Sequence, residues 1–218
     1  MIDIIIDKEE KLREEVLIVA QKLFRKYGFQ KTTMEDIAKE MRRGKSTIYF
    51  IFKSKSDILA AILISASLKA DLRVATAVNK VNTAAEKIHA HILTLYDIVS
   101  ESYVQDEVLR SELYSNTGPA VDYKSFIAGY LKNIDSDKKA EFKDAGERII
   151  EDILIFGVRN NEFSEKILDN LRFTVKVLQI SMTSVVLGLV SDSNEVYSDE
   201  DKSMMLNTCA QVLIKGLK

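Results

Sequence analysis

The stretch from Arg42 to Tyr49 gathers side chains that can bind the backbone and the bases of DNA. It reads Arg-Arg-Gly-Lys-Ser-Thr-Ile-Tyr, and its cations and hydroxyls donate hydrogen bonds to phosphate oxygens and base edges. Ile48 and Phe52 are four residues apart and share one side of a short helix, predicted over about residues 45–51. The other faces carry Lys45, Ser46, Thr47 and Tyr49. A helix with a buried side and a small polar, cationic tip is predicted to enter a DNA major groove.

A second short helix precedes this one and positions it. Thr33 is its predicted N-cap, with Asp36 three residues later as the capping-box partner. One apolar face of this helix, over about residues 34–41, is formed by Met34, Ile37, Ala38 and Met41. We predict a tight turn at Gly44, so that the two helices form a helix-turn-helix motif over about residues 33–52.

Two longer helices flank the motif. The first spans about residues 8–27, where apolar residues recur at i, i+3, i+4 and i+7. Gly28 is its predicted left-handed C-cap, and Phe29 is expected to fold back on the last turn. Ser56 is the predicted N-cap of a long helix over about residues 57–79. One Pro, eight Gly and no Trp in the whole chain also favour a nearly all-helical protein.

Charge is unevenly distributed along the chain. The formal net charge is −2, but residues 8–56, here called the head, hold 13 Lys and Arg against 7 Asp and Glu. Residues 57–218 hold 18 basic against 24 acidic residues. A basic head indicates a polyanionic partner at one end of the chain, although an unevenly charged solvated surface is the alternative for charge alone.

Several motifs, in order and without a gap over about residues 10–65, resemble the N-terminal domain of the TetR family of bacterial transcriptional regulators. They are Phe24-Arg25-Lys26-Tyr27-Gly28-Phe29, Thr32-Thr33, Asp36-Ile37-Ala38, Lys45-Ser46-Thr47-Ile48-Tyr49, Phe52 and Ser54-Lys55-Ser56-Asp57-Ile58-Leu59. The resemblance implies an all-α fold of about nine or ten helices. It comprises a three-helix DNA-binding domain at residues 9–69 and a helical ligand-sensing and dimerisation domain at residues 70–218.

Chemistry and resemblance together assign the DNA contacts. Short donors at the start of the third helix, Lys45, Ser46 and Thr47, are expected to meet base edges or phosphates. Two aromatic residues, Tyr49 and Phe50, are expected to lie along the sugar-phosphate backbone, and Thr33 and Lys55 to contact phosphates. Arg42 and Arg43 are expected to add cationic contacts, and the sequence leaves their target on the DNA open. Two positions depart from the family pattern: Arg42-Arg43 replaces a glycine followed by an apolar residue, and Ile51 replaces a frequent histidine.

The rest of the chain is predicted to sense a ligand and to dimerise. Helices are expected at about residues 83–101, 105–115, 121–133 and 137–160. Their aromatic residues line a ligand pocket or belong to the plain core: Tyr96, Tyr103, Phe126, Tyr130 and Phe142. By resemblance, the last two helices form a four-helix interface with a second copy through Phe173, Val177, Ile180, Ser184, Leu187, Met205, Cys209 and Val212.

The helix predicted over residues 165–190 is also the candidate for a membrane span. Its apolar run after Lys176 is only 14 residues and contains Gln179, which is short of the roughly 20 residues that a bilayer needs. A single cysteine, Cys209, fits a reducing cytosol, so we expect a cytoplasmic, nucleoid-associated protein without a membrane partner.

Enzymatic and metal-binding alternatives find little support in the sequence. Gly44-Lys45-Ser46-Thr47 imitates the end of a phosphate-binding loop, but Lys39 stands where that motif requires glycine. His89 and His91 point to different sides of a helix, and no nucleophile–base pair is evident. We therefore expect no catalysis, no cofactor and no metal.

Two functions remain after these exclusions. The first is a homodimeric repressor that binds a palindromic operator and is released by a small molecule. The second is a DNA-bound helical scaffold of the same fold, whose body binds a protein and not a metabolite. A closed apolar cavity in the body favours the sensor, and a filled core with an exposed apolar patch favours the scaffold.

Overall fold

The computed structural model describes residues 2–105, 136–191 and 197–218, with side chains over 8–101, 146–191 and 197–218. Eight α-helices and one 3₁₀ helix occur in these ranges, and the described residues include no strand. The helices are α1 (Ile2–Tyr27), α2 (Met34–Glu40), α3 (Lys45–Ile51), α4 (Lys55–Val78), α5 (Ala84–Gln105), α6 (Ser136–Arg159), α7 (Leu171–Val190) and α8 (Asp199–Gly216). The all-α prediction is confirmed, while the helices predicted at 105–115 and 121–133 fall at or beyond the edge of the described residues.

The chain divides into two compact units. The first contains residues 2–66 together with 136–139, and the second contains residues 67–105 and the described part of 140–218. The domain boundary at residues 69 and 70 remains a prediction.

The core of the first unit forms where α1, α2 and α3 meet. Val16, Ala20, Leu23 and Phe24 of α1 are buried, as the helical periodicity predicted. Gly28 adopts φ +84° and ends α1, and the ring of Phe29 packs edge-on against Phe24 with centroids 5.2 Å apart. The predicted C-cap and fold-back are thus confirmed.

The turn between α2 and α3 differs from the prediction. Arg42, and not Gly44, has the left-handed conformation, with φ 52°. The Arg43 amide donates to the carbonyl of Ala38 at 2.9 Å and the Arg42 amide donates to that of Lys39 at 3.0 Å, which is a Schellman motif with arginine where glycine is usual. Gly44 has φ −67° and is the extended N-cap of α3.

The start of α4 also differs by two residues from the prediction. The helix begins at Lys55, and the hydroxyl of Ser54 accepts the backbone amide of Asp57 at 3.2 Å. Ser54 therefore caps α4, and Ser56 lies within its first turn. Ile58, Leu59, Ile62 and Leu63 form the buried side of α4.

The second unit has its own hydrophobic core. Ile88 and Ile92 of α5 are fully buried, as are Leu154 of α6 and Val186 of α7. A carboxylate from outside α5 caps that helix: Glu162 accepts the amides of Ala84 and Ala85.

Two local details fix the connection after α6. Asn161 adopts φ 57° and the Glu162 amide donates to the carbonyl of Gly157 at 2.8 Å, so α6 ends just before Asn160, close to the predicted end of this helix at about residue 160. Gly157 is required by close packing, because a Cβ atom there would collide with the ring of Phe163 and lie 2.8 Å from the Cβ of Ala84.

The helix predicted over residues 165–190 is divided in two. Glu165–Asn170 is a 3₁₀ helix, and α7 begins at Leu171. Within the described residues, Glu165–Val190 is the one stretch that is long and apolar enough to pass as a membrane span, a test that core helices also pass. Ser198 and Asp201 form a capping box at the start of α8.

Candidate nucleic-acid interface

The recognition helix α3 has one buried side and one solvent side. Ile48 is fully buried and Phe52, its C-cap, is nearly so. At 100° per residue, the direction opposite these two residues is occupied by Ser46 and Phe50, with Thr47 and Tyr49 on either flank. Phe50 is 76% exposed and Tyr49 is 43% exposed. The predicted polar tip therefore lies on the surface, and an aromatic ring lies at its centre.

The N-terminus of α2 is held by a capping box. The Thr33 hydroxyl donates to the Asp36 carboxylate at 2.7 Å and accepts the Asp36 amide at 3.2 Å. The hydrogen bonds that the Thr33 hydroxyl and, at 2.9 Å, the Thr33 backbone amide donate to this carboxylate lower the pKa of Asp36. The capping partners were predicted correctly, and the Thr33 hydroxyl would have to leave the carboxylate before it could donate to a phosphate.

Two cations, Lys45 and Arg43, lie near the outer surface of the motif in exposed ion pairs. Lys45 is paired with Glu35 and its Nζ lies 5.5 Å from the centroid of the Tyr49 ring. Arg43 lies 3.9 Å from a carboxylate oxygen of Glu15. Both pairs are solvent-exposed and contribute little to stability, so they exchange readily for a phosphate partner.

Arg42 lines an open groove of about 650 Å³ that was not predicted. Its walls come from the end of α1, the following loop and α2: Leu23, Tyr27, Lys31, Thr32, Asp36, Lys39, Glu40 and Arg42. Across it, Lys22 pairs with Glu40 at 2.9 Å and lowers the pKa of that carboxylate.

Lys55 is engaged with the protein itself. Its Nζ donates to the backbone carbonyls of Phe29 at 2.6 Å, Gln30 at 3.1 Å and Thr32 at 3.1 Å, and lies 4.5 Å from the Phe29 ring centroid. All three ammonium hydrogens are thus used to hold the loop before α2. Sequence reasoning missed this role because the partners are backbone atoms 23 to 26 residues away.

The predicted ligand pocket is described only at Tyr96. This residue is partly buried against the core of the second unit. The other four aromatic residues lie where side chains are not described: Tyr103, Phe126, Tyr130 and Phe142. An open groove of about 360 Å³ lies between α4, α5 and α6, lined by Ala75, Val78, Asn79, Lys87, Ile149, Asp152, Ile153 and Phe156.

The two histidines of the chain, His89 and His91, have different surroundings. His91 is buried, its Nδ1 has no hydrogen-bond partner among the residues that the structure describes, and desolvation lowers its pKa to about 4. His89 contacts the side-chain oxygen of Asn207 through Nε2. Within the described residues, no group of three His, Cys, Asp or Glu is placed to hold a metal ion.

The last two helices present an apolar surface. Phe173 is 71% exposed, and Val177 and Ile180 follow it on the same side of α7. Ser184 and Leu187 continue this line, Ser184 exposed and Leu187 half-buried. On α8, Met205 and Val212 are exposed, while Cys209 is half-buried and its burial raises the thiol pKa. These eight residues are called the α7–α8 face.

Comparison with known proteins identifies the same segment as a helix-turn-helix domain. Residues 16–62 match the family model of bacterial regulatory proteins of the tetR family. The search of curated proteins gives no match.

Several solved structures share the fold along nearly the whole chain. The regulator FadR from Bacillus subtilis, in complex with stearoyl-CoA, is 18% identical with a TM-score of 0.65, covering 94% of this chain and 99% of that one. FadR from Bacillus halodurans is 14% identical with a TM-score of 0.64, covering 95% and 96%. The ketosteroid regulator KstR2 of Mycobacterium tuberculosis is 14% identical with a TM-score of 0.55, covering 94% of both chains.

Proposed function

We propose, because this chain belongs to the TetR family of helix-turn-helix transcription regulators, that it is a homodimeric repressor released from a palindromic operator by a small molecule. The observation that carries the DNA-binding part is the solvent side of α3. Ser46, Thr47, Tyr49 and Phe50 stand outward from buried Ile48 in a head with an excess of six positive charges. This arrangement suits a helix inserted into the major groove of a polyanion.

The DNA-facing residues divide into three roles. Ser46 and Thr47 are assigned to base edges, because short hydroxyls at the outer side of α3 donate or accept without rearrangement. Lys45, Arg42 and Arg43 are assigned to phosphates, and Tyr49 to the sugar-phosphate backbone. Thr33 remains a candidate phosphate ligand.

Lys55 is assigned chiefly to positioning. A phosphate contact by its ammonium would require the loss of one of its three carbonyl partners. We therefore expect Lys55 to influence DNA affinity through the loop that precedes α2. Lys55→Met retains the aliphatic stem and removes the donors, and it should weaken operator binding together with the stability of the head.

Dimerisation is assigned to the α7–α8 face. An exposed stripe of large apolar side chains on two helices is unfavourable in water and favours a partner surface of the same kind. Ile180→Lys places a charge within this stripe and should yield monomers in analytical ultracentrifugation. Leu72→Lys, at an exposed leucine of α4, is the matched control and should leave the dimer intact.

The effector is proposed to be a largely apolar small molecule. This rests on the fold shared with a regulator in complex with stearoyl-CoA, so a long-chain acyl-CoA is the first probe. Release of operator DNA by the probe supports the sensor. Unchanged DNA binding over a panel of acyl-CoA and steroid probes favours the scaffold that recruits a protein. In either case we expect a non-enzymatic, cytoplasmic protein at the nucleoid.

The test of DNA binding begins with selection of binding sites from random double-stranded DNA by the full-length protein. Fluorescence anisotropy then measures the affinity of the selected site. Tyr49→Ala should weaken binding at least ten-fold, whereas Tyr27→Ala, at a tyrosine of similar exposure on α1, should leave it nearly unchanged. Equal affinity of the Tyr49→Ala variant and the unmodified protein would contradict the assignment of α3.

A further inference from the structure

We propose that Phe50 reads the C5 methyl group of a thymine in each operator half-site. The inference rests on the proposed binding of α3 in the major groove and concerns what is read there. It replaces the expectation that Phe50 lies along the sugar-phosphate backbone. The consequence is a preference for an A·T pair, in one orientation, at one position of each half-site.

The direction of the Phe50 side chain supports this role. The two buried anchors of α3, Ile48 and Phe52, define the inward side of the helix. Phe50 follows Ile48 by two residues, or 200° of helical rotation, and so projects almost directly away from the core. The side chains of Tyr49 and Thr47 project at about 100° to the inward direction, one on each side. A helix that enters a groove with its outer side foremost therefore presents Phe50 to the floor of that groove.

The exposure of Phe50 is the second observation. A phenylalanine left 76% exposed forgoes most of the favourable free energy of burial in the free protein. The adjacent outward residue, Ser46, is one turn earlier and too short to shield the ring. Phe50 is therefore the largest side chain at the centre of the outward side of α3, and it is apolar.

The remaining groups on α3 limit the alternatives. Lys45 lies beside Glu35 and the Tyr49 ring and, by the helical period, away from the centre of the outer side, while Ser46 and Thr47 carry only short hydroxyls. Bidentate recognition of guanine or adenine needs Arg, Lys, Asn or Gln, and none of these occupies the centre of the outer side of α3. An apolar side chain in this position discriminates instead by contact with the thymine methyl, which the other three DNA bases lack.

The test uses the operator selected in the experiment above. Each thymine is replaced singly by deoxyuridine, which removes the C5 methyl group and leaves the hydrogen-bonding edge unchanged. The unmodified protein should lose about four-fold in affinity at one thymine of each half-site, the factor for burial of one methyl-sized group. Replacement of both symmetric thymines should cost about 15-fold in the dimer.

The Phe50→Ala variant completes a double-mutant cycle. It should bind the thymine and deoxyuridine operators with equal, reduced affinity, because the methyl group has lost its partner. Ile18→Ala removes another exposed apolar side chain of the same unit and should retain the discrimination. A thermal unfolding curve matching that of the unmodified protein establishes that Phe50→Ala remains folded.

Two results would overturn the inference while leaving the proposed function in place. One is a selected operator at which no deoxyuridine replacement reduces affinity. The other is equal discrimination by Phe50→Ala and the unmodified protein, which would assign the methyl contact to another residue. Failure to bind any double-stranded DNA would refute the proposed function itself, and the inference with it.

Discussion

Replacement of Arg42 by glycine is expected to stabilise the protein. Arg42 is the residue after the C-cap of α2 and has φ 52°, in the left-handed region where a Cβ atom approaches the following carbonyl oxygen. Glycine has no such contact. Gly44, two residues later, has φ −67°, a conformation that any residue adopts.

The magnitude follows from these backbone angles. The left-handed conformation costs a residue with a side chain roughly 1–2 kcal/mol, and part of this gain is offset by the larger entropy of glycine in the unfolded chain. Arg42→Gly should therefore raise the free energy of unfolding by about 1 kcal/mol, which corresponds to about 2–4 °C in Tm for a chain of this length. At Gly44, an added Cβ would come no closer than 3.6 Å to the Ser46 hydroxyl, so Gly44→Ala should cost only the N-cap preference, about 0.5 kcal/mol.

The assay is urea unfolding followed by circular dichroism, with Tm from thermal unfolding as a second measure. Arg42→Ala is the matched control, since it removes the guanidinium but retains the Cβ atom. It should stay close to the unmodified protein, so that the gain belongs to the glycine backbone and not to the loss of charge. The reasoning is refuted if Arg42→Gly lowers stability while Gly44→Ala costs 1 kcal/mol or more.

Three further predictions concern the second unit. Gly157→Ala should destabilise by about 1–3 kcal/mol in urea unfolding, since the new methyl group collides with buried Phe163; unchanged stability would contradict the packing. His91 has a lower pKa in the folded protein than its ordinary 6.5, so the unfolded chain takes up the proton first and stability falls as pH drops from about 6.5 to 4. This loss of stability should approach about 3 kcal/mol and should be absent in His91→Leu. The measurement is the free energy of unfolding of both proteins, from urea unfolding curves at several pH values between 6.5 and 4. Glu162→Gln should lower the free energy of unfolding by about 1 kcal/mol because the α5 amides lose a charged acceptor, with exposed Glu165→Gln as the neutral control.

Local signals in the sequence predicted most of the first unit. Thr33 and Asp36 are three residues apart, so their capping box is visible as a short motif. The burial of Ile48 and Phe52 follows from the helical period, and the bend after α1 follows from Gly28. The family motifs lie in the same segment, which explains why the helix-turn-helix could be predicted from the sequence.

Long-range contacts were not predictable in the same way. Glu162 caps a helix that begins 78 residues earlier, and no local pattern announces such a pairing. The position of the turn was missed for a different reason: the glycine preference predicted Gly44, while the hydrogen bonds of the α2 end place Arg42 in the left-handed conformation. Packing and backbone hydrogen bonds outweighed the preference of a single residue type.

The attachment of Lys55 has a practical consequence for dividing the protein into fragments. A fragment that stops at the end of α3 would leave three carbonyls of the loop after α1 without their ammonium donor. It would also remove Ile58 and Leu59, which are buried in the same unit. The smallest independently stable DNA-binding fragment should therefore extend well into α4, and its C-terminal boundary is set by a helix that does not itself belong to the helix-turn-helix.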